Sequence, residues 1–180
     1  MTAAERRAVA DDVRRAVRDV PDFPKPGILF KDITPVLLDP ALFARATAAV
    51  AAPFTGQGIT HVVAIESRGF ILGAPVAQLL GASFVPVRKP GKLPYTTVRE
   101  EYALEYGTDA LEMHADAMRA AHHVLVVDDV LATGGTAAAT CRLIERAGAH
   151  VSACAFLIEL GFLNGRGAIG PRRIEALVAY

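Results

Sequence analysis

Two adjacent carboxylates and a Thr-Gly-Gly-Thr turn follow directly on a hydrophobic run in residues 124–136, VLVVDDVLATGGT. The chemistry open to that stretch is recognition of a phosphate and a sugar. Gly134 and Gly135 allow backbone conformations closed to other residues. Successive N–H groups can therefore converge on an anion at the start of the helix that the spacing predicts over residues 136–146. Thr133 and Thr136 add hydroxyl donors. Asp128 and Asp129 stand at the carboxyl end of a strand, where open α/β sheets bind ligands and a carboxylate can accept hydrogen bonds from ribose hydroxyls. Phosphate on the loop and ribose on the acids describe a ribose 5-phosphate. Each part alone also fits a plainer use, the turn as a strand-to-helix connection and the acids as solvated charges. The glycines are not followed by the Lys of a P-loop, nor is the pattern the GxGxxG of a dinucleotide fold.

A second loop, Glu66-Ser67-Arg68-Gly69, follows the apolar run VVAI and precedes a predicted helix, so it should face the same crevice. Ser67 offers a hydroxyl, Arg68 a guanidinium, and Gly69 a close approach of the backbone, which together suit a pyrophosphate. The same four residues also read as a helix start with Ser67 as N-cap.

The elements that must position these loops alternate. Val124 to Val127 is apolar without alternation, as in a strand buried on both faces of a parallel sheet. Residues 3–20 read as an amphipathic helix with Val9, Val13, Val17 and Val20 near one face. Residues 21–40 hold five prolines, which forbid a long helix, yet they carry Phe23, Ile28, Leu29, Phe30 and Ile33 and so read as an ordered, covering loop. Helices are expected over 41–52 and 70–80, and strands over 61–65, 83–88, 151–160 and 174–179. Strands separated by helices imply an α/β fold with a parallel, doubly wound sheet and flanking helices. The stretch 69–87 is uncharged and of membrane-spanning length, but its glycines and prolines break it into helix, turn and strand.

Composition fits one soluble domain over residues 1–180: 52% hydrophobic, 21% charged, and 19 basic against 19 acidic residues. Zero net charge argues against a nucleic-acid coat, and no membrane segment is expected. Cys141 and Cys154 are the only cysteines and read as reduced core residues of a cytoplasmic protein. The N-terminal residues lack the apolar region of a secretory signal. His61, His114, His122, His123 and His150 show no metal-ligand spacing, and the His122-His123 pair reads as a turn.

In order and spacing, residues 124–136 resemble the phosphoribosyl pyrophosphate (PRPP) signature of the type I phosphoribosyltransferases. The segments FPKPGILFKDITPVL, ESRGF, VRKPGKLP and YALEYG narrow the resemblance to the adenine phosphoribosyltransferases, over about residues 21–160. This resemblance implies the type I fold, with a small N-terminal hood at about residues 21–40 and a mobile lid at about 90–109. It implies an enzyme of purine salvage that converts adenine and PRPP to AMP and pyrophosphate, working as a homodimer. Mg²⁺ would be the cofactor, held mainly through PRPP with no certain direct protein ligand. By similarity Asp128 and Asp129 hold the ribose hydroxyls, and Ala132, Thr133, Gly134, Gly135 and Thr136 cradle the 5-phosphate.

Ser67 and Arg68 would form the pyrophosphate loop, with a cis Glu66–Ser67 peptide. Arg88, Lys89 and Lys92 are candidates to neutralise the departing pyrophosphate, and without the resemblance they read as surface charges on a loop. Leu29, Phe30 and Lys31 would bind adenine, Phe30 by stacking and the backbone by reading the purine edge; a core aromatic is the plainer use of Phe30. Where this chain has Lys31 the family often carries Arg, an exchange that a main-chain contact would survive and that puts any side-chain contribution in doubt. Glu105 matches the family glutamate that meets purine N7, and Tyr106 a lid position able to shield or donate to the pyrophosphate; Glu105, like Glu100 and Glu101, otherwise reads as a solvated loop charge. Ala132 stands where relatives acting on 6-oxopurines place an Asp. Two rivals remain: a PRPP-sensing regulator without turnover, and an enzyme of the same fold using another base.

Overall fold

The computed structural model describes residues 1–103 and 108–180, with the side chain of Ala103 left aside. Helix α1 (Ala3–Ala16) leads into strands β1 (Arg18–Pro21) and β2 (Leu29–Asp32), then helices α2 (Thr34–Leu38) and α3 (Pro40–Ala51). Strand β3 (His61–Ile65), helix α4 (Arg68–Leu80) and strand β4 (Ser83–Val87) follow, then strands β5 (Thr97–Ala103) and β6 (Thr108–His114). Strand β7 (His123–Leu131), helix α5 (Gly135–Arg146), strand β8 (His150–Glu159), helix α6 (Gly165–Ile169) and strand β9 (Ile174–Ala179) complete the order.

The unbroken apolar run of β7 lies at the centre of a five-stranded sheet of order β4-β3-β7-β8-β9, in which every neighbouring pair is parallel. Successive side chains of a strand point to opposite faces. Leu125 and Val127 accordingly enter one core with Val9 and Val13 of α1, Val50 of α3 and Leu72 of α4. Val124 and Val126 enter the other, with Leu143 and Ile144 of α5 and Leu111 and Met113 of β6. Both faces are covered, as a parallel sheet requires. From β3 the chain winds outward to β4, and from β7 it winds the other way to β8 and β9, so the strand order reverses between β3 and β7. A crevice opens there at the carboxyl ends of the strands.

The predicted helix over residues 3–20 stops short. Val17 leaves the helical region with ψ 128°, and residues 18–21 pair antiparallel with residues 29–32 instead. The proline-rich covering loop is therefore partly regular: it carries β2 and the five-residue helix α2, whose Pro35 sits in the first turn where no N–H is missed. Asp39 caps α3, accepting from the N–H groups of Ala41 and Leu42 at 3.0 Å. Residues 97–103 and 108–114 pair antiparallel as β5 and β6, so regular structure occupies part of the segment that reads in the sequence as an irregular excursion. Its base is tied to α5 by Glu100, which takes Arg142 at 2.8 Å and also pairs with Arg146. These arginines outweigh partial burial and hold the Glu100 carboxyl below its usual range.

Among the described residues, no helix is long and apolar enough to cross a membrane. Cys141 and Cys154 are buried free thiols with Sγ atoms 3.5 Å apart. His122 closes a turn, its N–H donating to the Arg119 carbonyl at 3.0 Å, and its ring stacks on His61 with centroids 3.8 Å apart, whereas His123 already belongs to β7.

Candidate active site

The two loops that carry the sequence signals are the connections β3–α4 and β7–α5, so they meet across the switch point. Residues 65–68 and 128–137, with Lys89 and Tyr102, line one cavity of about 410 Å³. The phosphate-loop candidate turns through Gly134, whose φ of +80° favours glycine, and delivers the chain into α5. The leading N–H groups of a helix have no carbonyl partner within it, so this end of α5 presents donors and a partial positive charge to the cavity. Thr136 adds its hydroxyl at the same rim.

The acid pair lies within β7 rather than beyond it, and Asp129 is buried at 4% exposure. The Asp129 N–H donates to Asp128 Oδ1 at 2.9 Å. Burial, followed by the charge of Asp129, pushes the Asp128 carboxyl well above its ordinary value. Arg68 Nε lies 2.6 Å from Asp129 Oδ2, yet that buried oxygen accepts no aligned hydrogen bond among the described residues. The contact is ionic without being directional, which leaves an acceptor for a hydroxyl or for a cation. A buried acceptor left unmade is costly, so the site favours a ligand that fills it.

Across the crevice the Glu66–Ser67 peptide is cis. Ser67 stands at the N-cap position of α4, as the helix-start reading has it, but its side chain caps no N–H and its exposed hydroxyl remains available. The close approach that Gly69 permits is to β7: a Cβ there would come within 2.8 Å of Asp128 Oδ1. Glu66 ties the basic segment to this loop, taking Arg88 Nε at 2.6 Å and the N–H of Lys89 at 3.1 Å. Burial opposes ionisation of Glu66, but Arg88 and the Lys89 N–H prevail and its carboxyl titrates below the usual range.

A second cavity, about 250 Å³, adjoins the first and shares Arg68, Asp128, Asp129, Val130 and Ala132 with it. Its remaining walls are Leu29, Phe30 and Lys31 with Ile28, and Leu160 from the end of β8. Among the described strands β2 pairs only with β1, so one row of its backbone N–H and C=O groups is available to meet a planar polar edge. The Arg68 guanidinium, which pairs with Asp129, also stands 5.7 Å from the centroid of the Phe30 ring.

The phosphoribosyl transferase domain model matches residues 37–172. The adenine phosphoribosyltransferase of Myxococcus xanthus is 57% identical over 169 residues, covering 94% of this chain and 92% of that protein. The crystal structure of the Rhodothermus marinus adenine phosphoribosyltransferase is 55% identical, with a TM-score of 0.91 over 96% of this chain and 99% of that one. The Saccharomyces cerevisiae enzyme, crystallised with an imino-altritol 1,6-bisphosphate and adenine, is 38% identical with a TM-score of 0.89, covering 94% and 98%. The chain belongs to the adenine phosphoribosyltransferases. It is a pentosyltransferase with the type I fold.

Of the positions that adenine phosphoribosyltransferases suggested, the structure brings together Ser67, Arg68, Lys89, Asp128, Asp129 and residues 132–136 in the larger cavity, and Leu29, Phe30 and Lys31 in the smaller. It does not bring Arg88 and Lys92 to the cavity wall: Arg88 pairs with Glu66 and donates to the Lys92 carbonyl at 2.9 Å. Lys89 pairs with Asp109. Glu105 and Tyr106 lie outside the described residues. Three wall or support residues escaped the sequence reading. Tyr102 places its hydroxyl 3.5 Å from Thr136 Oγ1, Leu160 closes the smaller cavity, and Glu66 organises the basic segment. Tyr102 and Glu66 stand inside the quoted segments YALEYG and ESRGF, whereas nothing in the local pattern marks Leu160.

Proposed function

We propose that this enzyme joins adenine to PRPP, releasing pyrophosphate and forming AMP in purine salvage, as a cytoplasmic homodimer. The supporting observation is the pair of contiguous cavities, one with an acid pair facing a helix N-terminus, the other walled by a free strand edge and Phe30. In this reading residues 1–180 are a single phosphoribosyltransferase domain, with the hood at about 21–40 and the lid at about 90–109.

The 5-phosphate is received by the N–H groups and hydroxyls of Ala132, Thr133, Gly134, Gly135 and Thr136, a preorganised anion site. Asp128 and Asp129 accept from the ribose hydroxyls and place negative potential beneath the anomeric carbon as positive charge spreads onto the ring oxygen. Ser67, Arg68 and Lys89 meet the pyrophosphate that departs, with Arg88 and Lys92 close behind. Phe30 stacks on the base, and the free edge of β2 at Leu29, Phe30 and Lys31 reads its polar rim. Glu105 manages the proton at purine N7 as N9 attacks, and Tyr106 shields the pyrophosphate.

Mg²⁺ fits this set. Asp129 Oδ2, which has an ionic contact with Arg68 but no aligned hydrogen bond, and the neighbouring Asp128 are hard oxygen donors, while no group of three or more His, Cys, Asp or Glu that could hold a metal occurs among the described residues. An ion there would take most of its shell from substrate oxygens and water, with Asp128 and Asp129 as the protein's contribution. When bound it supplies positive charge that neutralises the departing pyrophosphate.

Base choice follows from Glu105 together with Ala132, which offers no acid in the phosphate loop. Turnover assays with PRPP and Mg²⁺ against adenine, hypoxanthine, guanine and orotate test it. Adenine should be consumed at least about a hundredfold faster than the others, because a site built around a polar contact discriminates strongly against bases that leave it unmade. Comparable use of hypoxanthine would overturn the specificity, and PRPP binding without turnover of any base would make the protein a sensor.

A further inference from the structure

We propose that Tyr180 is a positioning residue for base recognition, holding Lys31 and with it the edge strand β2 against the smaller cavity. The inference rests on the adenine reading above. Lys31 extends its ammonium away from its own backbone to a point 4.2 Å from the centroid of the Tyr180 ring. The same ammonium pairs with Asp19 Oδ1 at 2.6 Å, and the Lys31 side chain is only 12% exposed. A cation desolvated to that extent over an aromatic face gains more than one in open water. The side chain is thus an anchor, and the Lys31 backbone is the part that faces a base.

The anchor point is itself fixed to the opposite wall. The Tyr180 N–H donates to the Glu159 carbonyl at 2.9 Å, and the Tyr180 carbonyl accepts from the Gly161 N–H at 3.0 Å. Glu159 and Gly161 flank Leu160, the residue that closes the cavity across from β2. Both walls are therefore referenced to one residue. The Tyr180 ring also takes the Arg14 guanidinium of α1 at 5.1 Å. Strands β1 and β2 form a two-stranded sheet of their own, and such a ribbon is at best marginally stable without packing against something else. Its position depends on contacts of this kind.

The test is steady-state kinetics with adenine and PRPP varied separately. Tyr180→Leu should raise the KM for adenine about three- to thirtyfold. The KM for PRPP and kcat at saturating adenine should stay within about twofold, because the hydrogen bonds and cation contacts of Tyr180 go to Arg14, Lys31, Glu159 and Gly161 and not to the phosphate loop or acid pair. Tyr180→Phe should restore the adenine KM, since the ring face and not the hydroxyl meets the ammonium. Lys31→Met should reproduce the defect, and Tyr180→Leu added to it should cost little more, as expected of two residues acting through one contact. An unchanged adenine KM in Tyr180→Leu, or an equal rise in both KM values, would overturn the proposal. If that variant does not fold, an unchanged adenine KM in Lys31→Met does the same. Wild-type enzyme that ignores adenine would instead defeat the reading on which this rests.

Discussion

At the scale of single residues, Asp128 shows binding capacity held at a cost in stability. Burial and the neighbouring Asp129 raise its folded-state value well above the ordinary 3.8. An unfolded chain releases this proton near 3.8, whereas the folded chain keeps it to higher pH. Across that window the folded state binds more protons than the unfolded state, so this group's contribution to stability falls as pH rises. Above the window the ionised pair is a standing cost in the free enzyme. Asp128→Asn should therefore melt at the same temperature as wild type near the acid end of the window and higher at neutral pH, by about 2–4 °C per kcal/mol for a chain of this size. The same variant should weaken PRPP binding by about ten- to a hundredfold through loss of a charge-assisted hydrogen bond. Thermal melts across pH and calorimetry with PRPP check the two halves, and a variant that melts lower at neutral pH would show that the acid pair is structural.

At the scale of elements, the phosphate loop separates two glycines that look equivalent in the sequence. Gly134 has φ +80°, and a Cβ on it would lie 2.2 Å from the Gly165 carbonyl oxygen, so a side chain there would break the packing of the loop against α6. Gly135 is in open space, with nothing within 4 Å of its Cβ position. Gly135→Val should fold with a melting temperature close to wild type and lose at least about tenfold in PRPP affinity, because its side chain would stand where backbone N–H groups meet the phosphate. Unchanged affinity in calorimetry would mean that the turn is only a connection. The alternation of the central strands and helices and the two loops at strand carboxyl ends were legible in the sequence because unbroken apolar runs, helical spacing, Gly turns and paired charges are local signals. Residues 18–20 read as helix because Val17 and Val20 continue the apolar stripe, and only pairing with the distant residues 30–32 makes them strand. Arg88 looked like a free cation for the same reason: its partner Glu66 stands on another strand's end, 22 positions away. Leu160 became a cavity wall through the placing of β8 beside β7, which no local pattern encodes.

At the scale of the whole molecule, the central sheet ends on one side at β4, which pairs with β3 alone among the described strands, the chain meeting β6 only beyond it through the Arg88–Glu112 bridge. An uncovered edge with apolar surroundings invites association. Beside it α4 exposes Ile71 at 42% and Leu79 at 56%, and β4 itself exposes Phe84 at 36%. The proposed homodimer would have a symmetric interface, as most homo-oligomers do, and this face supplies apolar surface for it. Ile71 and Leu79 are exposed in the single chain, so charges there should change its own stability by no more than about 0.5 kcal/mol each. Buried unpaired at an interface they would be far more costly. Ile71→Glu with Leu79→Glu should therefore sediment as a folded monomer at concentrations where wild type is a dimer. Lys89, which follows β4 by two residues, would lose whatever orientation a second copy gives it, so activity should fall with dissociation while the melting temperature of the monomer stays near that expected for an intact fold. A wild-type enzyme that is fully active as a monomer under assay conditions would remove the dimer from the mechanism, and a double variant that remains dimeric would place the interface on another face.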